Sequence, residues 1–303
     1  MNSTTTRRRF LEWGLGTAGA LALPPFSRAV EPFVRSGPPR LRLSLAAYSF
    51  RDQLQPPHGG TPSMDLFQFI DFCAEHGCDG AELTSYYFPP EVSDDFLLKV
   101  RRHAHLRGVT VSGTAVGNDF CHPAGAKRDA EQKSVHDWIR KAAVLGAPHI
   151  RVFAGAAHGQ PEATARALCV EALEQAADVA GRYGIFLGVE NHGGIVSEAG
   201  QLVELVQAVK SPWVGVNLDT GNFHTADPYA DLARCAPYAV NVQFKGQIQA
   251  RGQKEAHDAD VPRVFGILRE ARYQGWVALE YEMAPDPLKQ VPVLLRQMRD
   301  QMG

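Results

Sequence analysis

Eight short apolar, β-branched runs recur along this chain, and segments with helical periodicity lie between them. The runs are 41–48 (LRLSLAAY), 79–83 (DGAEL), 109–115 (VTVSGTA), 149–154 (HIRVFA), 185–190 (IFLGVE), 214–219 (VGVNLD), 239–244 (AVNVQF) and 276–281 (WVALEY). Helical periodicity marks 64–76, 96–106, 130–145, 163–183, 199–209 and 261–271. Such alternation implies parallel strands joined by helical crossovers. Eight units of this length favour a single α/β domain closed as a (β/α)8 barrel. An open doubly wound sheet would want a Gly-rich phosphate turn after an early strand. The turn after the first run is instead Ser49-Phe50-Arg51-Asp52. Gly77, Gly108, Gly146, Gly184 and Gly275 fall just before strands, where helix C-caps are expected.

The first 40 residues follow other rules. Thr6-Arg7-Arg8-Arg9-Phe10-Leu11 precedes an apolar, Gly/Ala-rich run to Leu23, and Ser27-Arg28-Ala29 offers a small-x-small cleavage site. This reads as a twin-arginine-type signal peptide over 1–29, which carries folded proteins out of the cytoplasm. A periplasmic or otherwise exported location is therefore expected. Residues 30–40 form a Pro-rich leader, read as an extended linker, and the catalytic barrel occupies 41–303. No later apolar run reaches the roughly 18 residues of a membrane span. A net charge of −2 provides no basic surface for nucleic acid. The five cysteines form no CxxC pair and no zinc spacing, so buried thiols are expected.

Residues two apart on a barrel strand point inward together, and function gathers at the C-terminal strand ends. In 239–245, Val240, Val242 and Phe244 share one parity, and Asn241, Gln243 and Lys245 share the other. The same split places Glu190, Asp219, Gln243 and Glu280 at four successive strand ends, among small or polar neighbours. Three carboxylates gathered without compensation repel and raise their own pKa values, and a divalent cation relieves this. Three carboxylates and one carboxamide are hard oxygen donors, which favours Mn2+ or Mg2+ over Zn2+. The metal-ligand expectation is therefore Glu190, Asp219, Gln243 and Glu280.

The ordered stretches GVENHGG, VNLDTGNF, VNVQFKG and VALEYE resemble the xylose-isomerase-like TIM-barrel superfamily. The similarity covers nearly the whole chain after residue 41, including AAYSFR and HIRVFAG. It implies a divalent-metal-dependent sugar isomerase or epimerase, in which Glu190 and Glu280 remove and return the proton next to a carbonyl through a metal-stabilised enediolate. Where relatives commonly use Glu–Asp–His–Glu, Gln243 replaces the His; Asn222 replaces a substrate-binding His three residues after the metal-site Asp. Glutamine ligands occur in the dehydratase-like branch, so the alternative ending is β-elimination by a lyase acting on a keto-sugar or related cyclic polyol.

Strand parity adds His192, Lys245, Arg151 and Glu82 as substrate contacts, Lys245 alternatively pairing with Glu282 and Arg151 alternatively neutralising barrel acids. The resemblance adds Asn222 and His257. His122 and His158 read as solvated loop residues. The expected partner is a small-molecule sugar or polyol, with a homo-oligomer allowed. A DNA-repair endonuclease on this fold would need imidazoles where Gln243 and Asn222 stand. A non-catalytic sugar-binding protein would not need the acid pair.

Overall fold

The computed structural model describes residues 30–302; the signal-type segment 1–29 lies outside them. Strands β1 (Arg40–Ala46), β2 (Gly80–Thr84), β3 (Thr110–Ala115), β4 (His149–Phe153), β5 (Phe186–Glu190), β6 (Val214–Asp219), β7 (Ala239–Phe244) and β8 (Gln274–Leu279) close into one parallel barrel, with β8 returning beside β1. The expected (β/α)8 architecture is the observed one. Among the described residues, no helix is long and apolar enough to cross a membrane.

Helices cover the outer face. Leu66–Glu75 starts at a reciprocal capping box between Asp65 and Gln68, and Asp94–Leu106 is capped by Ser93. Pro228–Cys235 and Pro287–Asp300 begin with Pro after an Asp cap, a signal independent of the apolar period. The outward strand residues Val242, Phe244, Val277 and Leu279 are wholly buried, and the Phe244 ring sits 6.0 Å from Phe265. Each buried side chain of this kind stabilises the fold by about 1.5–3 kcal/mol.

Three sequence expectations change. The first run stops as a strand at Ala46, and 47–50 turns into a short 3-10 helix. Gly275 lies inside β8 rather than at a helix cap; the helix Val261–Glu270 exits through Arg272, which takes the positive φ of 52° itself. The leader is not a free linker. Phe33 N–H donates to Pro237 O, the Phe33 ring packs edge-on against Phe186 at 5.9 Å, and Arg35 donates to the carbonyls of Pro237 and Ala239. These partners start their strands, so the leader closes the end of the barrel opposite the mouth.

The parity of β7 also breaks once. Val216 pairs with Ala239 but Asn217 pairs with Asn241, so Val240 is an extra, bulged residue. Its methyls fill space that a side chain on β6 or, one strand further, on β5 would need. A Cβ on Gly215 would lie 2.5 Å from Val240 Cγ1, and one on Gly188 would lie 3.3 Å from Val240 Cγ2. The bulge resets β7, and beyond it Asn241, Gln243 and Lys245 share the interior.

Candidate active site at the barrel mouth

The polar residues of the interior form two layers. In the lower layer, the Glu82 carboxylate accepts from Asn241 Nδ2 at 2.8 Å and from Gln243 Nε2 at 2.6 Å. Asn217 Nδ2 donates to Gln243 Oε1 at 2.5 Å, while Asn241 Nδ2 also reaches Asn217 Oδ1 at 2.8 Å. His149 lies 3.6 Å from Glu82, and its ring occupies space opened by the missing Cβ of Gly113. All four members of the amide–acid set are buried, Glu82 completely.

This layer corrects one expectation. Glu82 is not a mouth residue for substrate; it is the acceptor at the centre of a buried amide network. Gln243, the expected fourth metal ligand, is placed differently from the other three. Its carboxamide oxygen accepts from Asn217 and its NH2 donates downward to Glu82.

In the upper layer the carboxylates form two clusters. Glu190, at the end of β5, has Arg151 Nε at 2.9 Å from Oε2, His192 Nδ1 at 2.6 Å from Oε1, and Asn222 Nδ2 donating to Oε1 at 3.0 Å. The Arg151 guanidinium lies 3.9 Å over the Phe153 ring, and that ring tilts against His192 at 4.4 Å. Burial pushes the Glu190 carboxyl up, but Arg151 and the His192 hydrogen bond outweigh it and hold the group below the usual carboxylate range. His192 is raised, chiefly by its hydrogen bond to Glu190.

The second cluster surrounds Lys245. Its ammonium is 3.4 Å from Asp219 Oδ2, 3.3 Å from Glu280 Oε1 and in direct contact with Glu282. Burial works against the Lys245 charge, yet Asp219, Glu280 and Glu282 keep its pKa above the ordinary lysine value. Burial pushes Asp219 up to about 7, against the pull of Lys245. Burial also raises Glu280 well above its usual value, with Asp219 and Glu190 adding to the effect. Asp219 is aligned by Asn191, which donates to its carbonyl at 2.8 Å and accepts its N–H at 2.9 Å. Asn191 and the backbone clip between Lys245 N and Thr220 Oγ1 carry no motif that marked them in the sequence.

The remaining expected contacts divide. His192 and Asn222 stand at the mouth beside Glu190, as placed by parity and resemblance. Arg151 is 5% exposed and spends its charge on Glu190, which favours the neutralising role over substrate contact. Lys245 does pair with Glu282, the second option given for it. His257 lies exposed in a two-residue antiparallel ribbon, paired with Ile248, and makes no hydrogen bond to the mouth carboxylates among the described residues. A cavity of ≈ 220 Å³ opens beside the second cluster, lined by Asn222, His224, Lys245, Gln249 and Glu282 among others. His224 and Gln249 were not marked by the sequence pattern; they sit on loops where no periodicity fixes direction.

The mouth fits a cation. Asp219 Oδ2 is buried and accepts no hydrogen bond among the described residues, and Glu280 faces the same ammonium. An acceptor left so is costly unless positive charge approaches it. Lys245 is the positive charge that faces both Asp219 and Glu280, while Glu190 is engaged by Arg151 and His192 and Gln243 by Asn217 and Glu82.

The family profile described as xylose isomerase-like TIM barrel matches residues 70–300. Among solved structures, D-psicose 3-epimerase in the presence of D-fructose aligns at 19% identity and TM-score 0.66, over 80% of this chain and 86% of that one. The 3-keto-D-glucoside 4-epimerase from E. coli aligns at 16% identity and TM-score 0.65, over 86% and 100%. The IOLI protein with a bound zinc atom aligns at 17% identity and TM-score 0.66, over 86% and 96%. Curated proteins give no significant match. At these identities the structural likeness establishes the fold.

Proposed function

Because the chain belongs to the xylose isomerase-like TIM barrel family, we propose that it is a sugar isomerase or epimerase that moves a proton at a carbon next to a carbonyl. One observation carries this reading: two mouth carboxyls are driven in opposite directions. Arg151 and His192 hold the Glu190 carboxyl below its usual range, whereas burial raises that of Glu280 well above its own. Opposed environments of this kind divide the roles of base and acid. Glu190 takes the proton, and Glu280 returns one from its own strand end. Asn222 and His192 hold Glu190 Oε1 and Arg151 faces Oε2, so the orientation of the carboxylate is fixed. The polar cavity wall of Asn222, His224, Gln249 and Glu282 suits the hydroxyls of a sugar or polyol.

A divalent ion would be held by Asp219 and Glu280, with Glu190 and Gln243 joining after reorientation, and would supply positive charge beside the substrate oxygens. The oxygen-only donor set favours Mn2+ or Mg2+. Two of the aligned structures are a D-psicose 3-epimerase and a 3-keto-D-glucoside 4-epimerase, which supports the substrate class. Elimination is the alternative ending of the same first step. Gln243 favours keeping it, because a carboxamide exchanges no protons near neutral pH.

The test is incubation of the full-length protein with candidate keto-sugars in D2O, followed by NMR. Deuterium at the carbon next to the carbonyl, together with a new stereoisomer, supports the reading. A UV-absorbing enone without any new stereoisomer assigns the lyase instead. Ligand binding with neither deuterium exchange nor product overturns both. We also propose export by the twin-arginine route, checked by fractionating cells that express the parent chain and an Arg7→Lys, Arg8→Lys variant.

A further inference from the structure

A second group of metal-ligating side chains sits on the rim, outside the strand-end set. Asp119 and His122 lie on the loop after β3, and His158 lies on the loop after β4. Their ligand atoms all fall within 4.8 Å of one another. Among the described residues this is the one place where three His, Cys, Asp or Glu donors converge so closely. The two imidazoles stack face to face, 4.4 Å apart at 19°. His158 Nε2 is 2.7 Å from Asp119 Oδ2.

The surroundings hold these donors in place. Asp119 Oδ1 accepts from Cys121 N at 2.8 Å, and Asp119 Oδ2 accepts from Ala156 N at 3.3 Å, so the carboxylate ties both loops together. Asn118 clips the first loop to β4, donating to Phe153 O and accepting from Phe153 N–H at 2.9 Å each. Gly155 runs so close to the Asp119 carboxyl that any Cβ there would collide with it. His158 keeps a positive φ of 51°, a conformation rarely adopted by a residue with a side chain. His122 is buried, not solvated as its loop position suggested, while His158 remains open to solvent.

We propose that Asp119, His122 and His158 form a divalent cation site of the zinc type. Two imidazole nitrogens and one carboxylate oxygen make a borderline donor set, unlike the all-oxygen set at the mouth. Three protein ligands leave a fourth tetrahedral position, and the exposure of His158 lets water or a substrate oxygen reach it. On binding, the ion replaces the His158–Asp119 hydrogen bond. The site lies against the active site through Phe153, whose ring contacts both Arg151 and His192. It stands independently of the reaction proposed above, because none of its donors belongs to the mouth.

The experiment is zinc titration of metal-freed, full-length protein, with bound metal counted by elemental analysis and Co2+ used as a visible-absorption probe. Four proteins are compared: the parent, His158→Gly, His122→Gln, and the double variant Glu190→Gln, Asp219→Asn. Glycine suits the positive φ at 158, so the first variant removes a ligand and relieves backbone strain. The parent and the mouth variant should both bind the rim equivalent of zinc and show the same Co2+ absorption band. His158→Gly should lose one molar equivalent and that band, and so should His122→Gln, with circular dichroism confirming that each is folded. Equal zinc content and equal Co2+ spectra in the parent and both folded histidine variants would overturn the proposal. Loss of the band from the mouth variant alone would overturn it too, by placing the nitrogen-rich ion at the strand ends.

Discussion

The Lys245 ammonium stands 3.4 Å from Asp219 Oδ2 and 3.3 Å from Glu280 Oε1, so a side-chain cation lies between two of the acids that a metal would join. A metal ion held by Asp219 and Glu280 would compete with the lysine for one place. Lys245→Gln, measured in chelator, should lose about 3–5 kcal/mol, the usual cost of stripping one partner from a buried ion pair. Added Mn2+ should then raise its melting temperature more than it raises the parent's. Equal shifts in the two proteins would show that the ammonium and the ion do not share the space.

The raised Asp219 carboxyl has a direction in pH. Its folded value near 7 lies above the ordinary 3.8, so the native state keeps a proton that the unfolded chain has released. That stabilising contribution is complete below about pH 4 and is lost as pH rises toward 7. Asp219→Asn lacks the dependence. In metal-free protein the melting temperature of the variant, relative to the parent, should therefore be higher at pH 8 than at pH 5. A difference independent of pH would contradict the assignment.

Arg151 acts through Glu190. Removing its charge lets burial dominate, and the Glu190 carboxyl moves upward. Arg151→Met should shift the acid limb of the kcat/KM profile to higher pH and lower kcat. Glu190→Gln should abolish turnover across the whole range. An unmoved acid limb in Arg151→Met would mean that another group governs it.

Glu82 separates structure from binding. Glu82→Ala leaves Asn241 Nδ2 and Gln243 Nε2 without their shared acceptor. At about 1–3 kcal/mol for each buried unsatisfied group, the expected loss is about 2–6 kcal/mol by chemical denaturation. KM should change little at a temperature where the variant is folded. Asn222→Ala, at the mouth, should raise KM with little loss of stability. The reverse pattern would return Glu82 to the substrate.

Much of the fold was legible because barrel strands and helices announce themselves by period. Glu190, Asp219 and Glu280 were legible for the same reason, since alternation fixes which residues share the interior. Gln243 shows where this stops. Parity places it inside but cannot say whether its amide turns up toward a cation or down toward Glu82; Asn217 and Glu82, distant in sequence, decide that. Val240 marks a second limit: one bulged residue breaks the alternation, and its sequence trace is the pair of glycines, Gly215 on β6 and Gly188 on β5. His122 and His158 show a third. On loops no period ties direction to position, so their stacking depends on Asn118 and Gly155.

The leader packed beneath the barrel fixes the molecule's orientation relative to anything joined ahead of residue 30. Phe33 and Arg35 anchor that end to the starts of β5, β7 and β8, on the face away from Glu190 and Glu280. A fusion partner, bead or surface attached there meets the floor of the barrel, at the end away from the mouth carboxylates.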